Sequence, residues 1–412
     1  MDKFIILLVI VLGAIAVAQL MRVSELVHKK ANREPGEIPQ SENLFNANLI
    51  VVFGAILFGT LIYLLVAYGY GNMGPAASTS GKAIDLLFDV QYTIVLLVIF
   101  IFMGVLFYFS RRYVRKEGVK AYYYPHNNTL EMVWTVIPAA VVTIVVILGL
   151  KTWNDTFRMR GEVENIEIIS YQFAWTARYA GANNKLGKFD YKLTTDLNPY
   201  GLMTRENIAA SLELMKNGQP GSEGISMLEA KLNDPTIAMS AKDRKKYETE
   251  LARKERMIRV LEAMSVTYND SLDALVNDDV ILADSLVLLK GQKYNLHFRS
   301  KDVIHSAYMP HFRLQMNTIP GMITYFPLQP IYTTEEMKQK TNDPTWEYAL
   351  LCNKVCGGSH YKMKMSIKVL GPKEYLQWQK SKATYNGEKW VKANEQELLK
   401  YYESIAASVD KK

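Results

Sequence analysis

The stretch CNKVCGGSHYKM, residues 352–363, holds both cysteines of the chain, one of its six histidines and a methionine. Cys352, Cys356, His360 and Met363 follow one another at short, regular intervals. Soft thiolates select copper, zinc or iron–sulfur clusters, and a thiolate pair with imidazole suits zinc or copper by ligand type alone. The flanking segments EYALL and MSIKVL are β-rich, which places these residues on a loop between two strands. A blue-copper centre takes one Cys, two His and a weak axial Met, largely from such a loop. Here that arrangement recurs with an additional cysteine, and two thiolates can bridge two metals. The second imidazole must come from elsewhere, and His305 in KDVIHSAYMP, at the end of a predicted strand, is the best placed candidate. A zinc site of Cys₂His₂ type that stabilises a membrane scaffold remains open at this point.

Two cysteines cannot form a disulfide framework. The net charge of +7 accompanies apolar runs with basic ends, a membrane pattern rather than a nucleic-acid one. Four apolar stretches, near 4–20, 49–70, 93–109 and 132–150, each approach the length a bilayer core requires, about 20 residues. Arg22, Lys29, Lys30 and Arg33 follow the first, and Arg111, Arg112, Arg115, Lys116 and Lys120 follow the third. Only Lys82 lies between the second and third. The positive-inside bias puts both basic loops in the cytoplasm and everything after Lys151 outside. Lys3 and Ala16-Val17-Ala18 also resemble a secretory signal, but a retained first helix is the expectation.

From about Asn154 the texture changes to short strands: 166–179, 280–300, 322–328, 347–352 and 363–370. Several short strands predict a small sandwich or barrel. Between them, about 200–270 reads as a charged helical insertion, and 373–412 as a helical tail. The expected organisation is therefore 1–46, N-terminal helix and loop; 47–72, an extra membrane helix; 85–153, a helix pair; 154–372, a β-domain with its insertion; and the tail.

These residues resemble subunit II of the haem-copper cytochrome c oxidases. The family has two membrane helices and then a cupredoxin-like barrel with a D-V-x-H-S segment and a C-x-x-x-C-x-x-x-H-x-x-M loop. Asp302 to Ser306 and Cys352 to Met363 match both; HNNTLEMVWTVIPA (126–139) resembles the family's second-helix start, and YQFAW (171–175) its aromatic strand. The implied fold is four membrane helices followed by a cupredoxin-like Greek-key barrel with a helical insertion. The implied cofactor is a dinuclear copper centre, CuA, with Cys352 and Cys356 as bridging thiolates and His305 and His360 as terminal ligands. Met363 and the backbone carbonyl of Lys354 would be its weak ligands. The implied function is to accept single electrons from cytochrome c and pass them to the haem of subunit I, where O₂ is reduced and protons are pumped. The setting would be a bacterial inner membrane, with the copper domain on the periplasmic side. No C-x-x-C-H is present, so no c-type haem is expected in this chain.

Departures from the family pattern matter. Lys354 stands where the family has a Mg²⁺-binding Glu, and a lysine cannot be a carboxylate ligand, so a Mg²⁺ site does not carry over. The family's exposed tryptophan, where electrons arrive, aligns with Phe173; Trp175 is kept, and Tyr308 is a neighbouring aromatic for the same role. Lys301 and Lys354 replace acidic residues that would steer a basic cytochrome c. A dedicated donor is expected, such as a membrane-held cytochrome c domain in a supercomplex with a quinol:cytochrome c reductase. Glu131 matches a glutamate at the mouth of a proton path into subunit I, or is simply an interfacial carboxylate. His297, His311, Trp134 and Trp153 read as structural residues, and the charges around 242–258 as a solvated helix face. A copper-free quinol oxidase subunit II shares the fold, but the retained Cys, His and Met set argues against it.

Overall fold

The computed structural model describes residues 2–29, 38–69, 74–116, 118–158, 161–219, 221–391 and 394–410. Lys30 and Arg33 of the first basic loop lie outside the described residues. Four helices are long and apolar enough to cross a membrane: α1 (Asp2–Lys29), α2 (Gln40–Leu64), α3 (Thr79–Arg112) and α4 (Asn128–Phe157). A π-helical turn, Leu65–Gly69, continues α2. Their apolar side chains stay largely exposed, as lipid-facing helices require.

The chain divides into two units, Met1–Tyr70 with Tyr92–Thr135, and Gly71–Gln91 with Val136–Lys412. In the first, α2 meets α3 through aromatic rings: Phe58 stacks on Phe100 at 4.9 Å, and Phe107 presses on Gly54. A Cβ at Gly54 would come within 2.6 Å of that ring, so glycine sets the approach of the two helices. At the start of α4, Asn127 Oδ1 accepts the Leu130 N–H, and Glu131 Oε1 accepts the Asn127 N–H. Glu131 is thus part of a reciprocal helix cap.

In the second unit two five-stranded sheets enclose one apolar core, a cupredoxin-like sandwich. The first is ordered β10 (Thr324–Leu328), β7 (Tyr294–Ser300), β1 (Glu164–Tyr171), β2 (Ala174–Tyr179), β5 (Val280–Leu282). The second is β6 (Ser285–Leu289), β12 (Lys364–Leu370), β11 (Tyr348–Cys352), β8 (His305–Met309), β9 (Leu314–Thr318). Pairs β1–β7 and β6–β12 are parallel. Alternation works as the pleat demands: Ile166 and Ile168, Leu296 and Phe298, and Met365, Ile367 and Val369 all point into the core. Each such side chain contributes about 1.5–3 kcal/mol by leaving water.

Three expectations change, the first being the run 166–179, which is two strands, β1 and β2, split by the turn at Gln172-Phe173. The run 280–300 is not one strand but three, split between the sheets by bends at Ala283-Asp284 and Lys290 to Lys293. Gly291, at φ +81°, makes the second bend, and a Cβ there would strike the Ile405 carbonyl at 2.5 Å. The tail after β12 is also more than surface helix. α10 (Pro372–Lys380) and α11 (Glu395–Asp410) bury Tyr375, Leu376 and Tyr402 against Val287 and Leu289. Lys290 anchors it, with Glu336 at 2.7 Å and Asp410 at 2.8 Å.

The insertion between β2 and β5 has its own small core of Leu193, Ile208, Leu261 and Tyr268. Its helices are α5 (Arg205–Asn217), α6 (Ile225–Asn233), α7 (Ala241–Thr267) and the short α8 (Asp273–Asn277); a two-residue hairpin, β3 (Gly218–Gln219) and β4 (Ser222–Glu223), lies between α5 and α6. Its first part covers the outer face of the first sheet, where Arg178 donates to the Gly187 carbonyl and Arg299 to that of Tyr200. α9 (Thr334–Thr341), capped by Thr333 and Glu336, precedes β11. The stretch Gly74–Ser78 also belongs here: Ala77 is fully buried in the sandwich core, and its N–H and C=O pair with His311 and Ile331.

Candidate metal centre

Sheet pairing builds the site. β8 lies beside β11 with Ala307 opposite Cys352, which brings His305, the first residue of β8, next to the last residue of β11. His305 therefore opens a strand of its own rather than closing the preceding one. Ser300 and Asp302 make the turn that separates the two strands, with Ser300 Oγ accepting the Asp302 N–H. At the other end of the loop, the Cys352 N–H donates to the Met363 carbonyl, so the twelve-residue excursion begins and ends at one point.

The six atoms singled out in the sequence converge. Cys352 Sγ lies 3.9 Å from His305 Nδ1, 3.9 Å from Cys356 Sγ and 3.2 Å from the Lys354 carbonyl oxygen. Cys356 Sγ lies 3.6 Å from His360 Nδ1 and 3.8 Å from Met363 Sδ. The ligand atoms of His305, Cys352 and Cys356 all fall within 4.8 Å of one another. The sulfurs are far beyond the roughly 2 Å of a disulfide. Two sulfurs, two imidazole nitrogens, a thioether and one carbonyl form a soft donor set that fits copper and does not suit a hard cation. The doubling of the sulfurs fits a pair of metals.

The surroundings fix this set. His305 is fully buried, and its Nε2 lies 2.8 Å from Asp302 Oδ1, so Nδ1 is left facing the thiol. Burial pushes the Asp302 carboxyl up, but hydrogen bonds from His305, Gln172 and Val303 outweigh it and hold the group below its ordinary value. For Cys356, burial and the neighbouring Cys352 push the thiol up to about 11. Metal binding there must displace a proton. The Gln172 side chain donates to the Cys356 carbonyl, and a Cβ at Gly357 would come within 2.8 Å of it. Gly357 has φ +144°, so both space and backbone call for glycine. The Asp302, Gln172 and Gly357 roles are not singled out by the sequence; the D-x-x-H spacing and the glycine after the second cysteine were the available signals.

The aromatic candidates separate. Trp175 is 1% exposed and forms the floor, its ring 6.2 Å from that of His305 and its Nε1 donating to the Met363 carbonyl at 3.4 Å. Phe173 is half-buried in the β1–β2 turn, against Gly357. Tyr308 is half-buried, opposite Leu351 in the β8–β11 pair. Lys301 and Lys354 are exposed, as are Val303, Ile304, Val355 and Tyr361 around the loop. His297 sits in β7, 2.9 Å from Asn165 Oδ1, and His311 packs on Trp346. Glu131, in the other unit, serves the helix cap described above.

The fold and site define a class: a membrane-anchored cupredoxin-like protein with a cysteine- and histidine-bearing loop suited to a soft metal. Residues 65–152 match the family described as cytochrome c oxidase subunit II, transmembrane domain. The alternative cytochrome c oxidase subunit 2 of Bradyrhizobium diazoefficiens is 24% identical over 70% of this chain and 77% of its own length. Cytochrome c oxidase subunit 2 of Thermostichus vulcanus is 25% identical over 84% and 86%. The crystal structure of the periplasmic domain of subunit II of cytochrome oxidase from Bradyrhizobium japonicum aligns with 53% of this chain and 94% of its own, at 14% identity and a TM-score of 0.25. By the sequence matches the chain is a relative of cytochrome c oxidase subunit II.

Proposed function

We propose that this chain is the electron-accepting subunit of a proton-pumping cytochrome c oxidase, held in a bacterial inner membrane with its β-domain in the periplasm. The observation that carries the reading is the convergence of Cys352, Cys356, His305, His360, Met363 and the Lys354 carbonyl from two separate pieces of backbone. When bound, a dinuclear copper centre would supply one-electron chemistry with little change in its bonds. Cys352 and Cys356 would bridge it, His305 and His360 would terminate it, and Met363 and the Lys354 carbonyl would be weak ligands. Asp302 keeps His305 in one tautomer. Trp175, beneath His305, keeps water from the inner side. Electrons come one at a time from a cytochrome c donor, with Phe173, half-buried against Gly357 of the cysteine loop, as the entry aromatic, and continue to the haem of subunit I.

Exposed Lys301 and Lys354 disfavour a basic donor, so the partner is a dedicated cytochrome c domain. A steep loss of rate with added salt for an ordinary basic cytochrome c would count against that. Glu131 is proposed to feed the proton path into subunit I; Glu131→Gln should lower proton uptake in the assembled oxidase while leaving copper reduction unchanged. For the centre itself, electron paramagnetic resonance of the copper-loaded, full-length chain decides. An unpaired electron shared equally over two copper nuclei is expected. A single-copper pattern, or a colourless zinc protein, would overturn the reading.

A further inference from the structure

A cavity of about 700 Å³ opens at the end of the β1–β2 hairpin remote from its turn, under α10 and α11. Its walls include Glu162, Glu164, Tyr179, Trp390, Tyr401 and Gln292. Tyr401 donates its hydroxyl to Glu162 at 2.7 Å. The Glu164 carboxylate makes no hydrogen bond or ion pair among the described residues, although its N–H donates to the Lys293 carbonyl. Burial without a partner raises its carboxyl to about 7, and its charge also bears on Tyr179, Tyr294, Tyr375, Tyr401 and Tyr402. The Tyr179 and Trp390 rings stand 5.3 Å apart on the same cavity.

An uncompensated carboxylate in an aromatic-walled cavity is a charge that the protein itself leaves unmatched. A hydrated divalent ion could meet the carboxylate but would leave the aromatic wall without a role. A neutral ligand would leave the charge as it is. An organic ammonium answers both features, because its charge faces the carboxylate while its carbons rest on the rings. We propose that this cavity binds an organic ammonium group, with Glu164 as counter-charge and Trp390 and Tyr179 as the aromatic wall. Glu162 follows the end of α4 by five residues, at most roughly 17 Å of extended chain, so the ammonium can belong to a dissolved amine or to a lipid headgroup. The inference is independent of the metal centre.

The test is titration of tryptophan emission in the full-length protein with ethanolamine and with tetramethylammonium, with ethylene glycol as the uncharged control. A saturable change with ethanolamine or tetramethylammonium and none with ethylene glycol is expected, and Glu164→Gln should weaken it at least about tenfold while leaving the melting temperature and copper absorption in place. Nanodiscs rich in phosphatidylethanolamine should block the ethanolamine response if the headgroup is the natural occupant and leave it intact if a free amine is. An equal response to ethylene glycol, an unaltered titration in Glu164→Gln, or no saturable response to either cation overturns the proposal; the ethylene glycol comparison stands even if the variant fails to fold.

Discussion

Two clusters of polar side chains occupy the sandwich, and they are balanced in opposite ways. On the outer face of the first sheet, Glu167, Arg178, Arg299 and Asp279 are all at most 6% exposed. Glu167 meets Arg299 at 2.7 Å and Arg178 at 2.9 Å, and Arg178 reaches Asp279 at 3.3 Å. Two carboxylates and two guanidiniums cancel one another. The two acids are not equal, however: although burial pushes Glu167 up, its two arginines hold it below its ordinary value, whereas burial pushes Asp279 up to about 7 because it has one arginine at longer range. At the metal loop nothing cancels. The contacts there are between thiol, imidazole, thioether and carbonyl groups 3.2 to 3.9 Å apart, a set with no ionised counter-charge against the sulfurs and one that suits a soft cation. A self-neutralising cluster holds the fold and its insertion, and a one-sided cluster waits for a partner.

Cys356→Ser would break this contrast most severely. Loss of one bridge should abolish the paired-copper resonance and electron acceptance while the melting temperature of the metal-free protein changes little. Next comes Arg178→Met, which leaves two buried acids with one arginine and should cost about 3–5 kcal/mol in thermal unfolding, with the copper signal kept by whatever fraction stays folded. The same cluster has a pH signature. Since Glu167 is depressed, its contribution is complete above about pH 4.5, its ordinary value, and is lost as the pH falls below it, so the variant should show a shallower loss of melting temperature in acid. Asp302→Asn should weaken copper binding about 10–100-fold by releasing His305, measured by competition with a chelator, without altering the fold. Smallest is Gly357→Ala, expected to cost on the order of 1 kcal/mol and to shift the copper absorption slightly by pushing on Gln172.

The metal set was legible because four of its side chains lie within a dozen residues and keep their chemistry wherever the strands run. His305 was legible only through the motif around it, and its place in a new strand was not, since the turn that precedes it depends on Ser300 and Asp302 side chains. The charge quartet escaped the sequence altogether. Glu167, Arg178 and Arg299 fall on the polar phase of alternating strands, which reads as a solvated face. They are buried because the irregular segment around Gly187 and Tyr200, which carries no strand pattern of its own, lies over them. Trp175 reads equally well as a surface aromatic or a core one until β2 is paired with β1.

The stretch Gly74–Ser78 governs how the protein can be handled in the laboratory. Ala77 fills a place inside the sandwich and Ser78 Oγ donates to the Phe312 carbonyl at 2.7 Å, while Arg313 grips Asp85 at 2.7 Å. A soluble fragment cut after the last apolar helix would therefore leave a hole in its own middle, and a secreted version worth crystallising should carry residues 74–85 grafted back as a peptide.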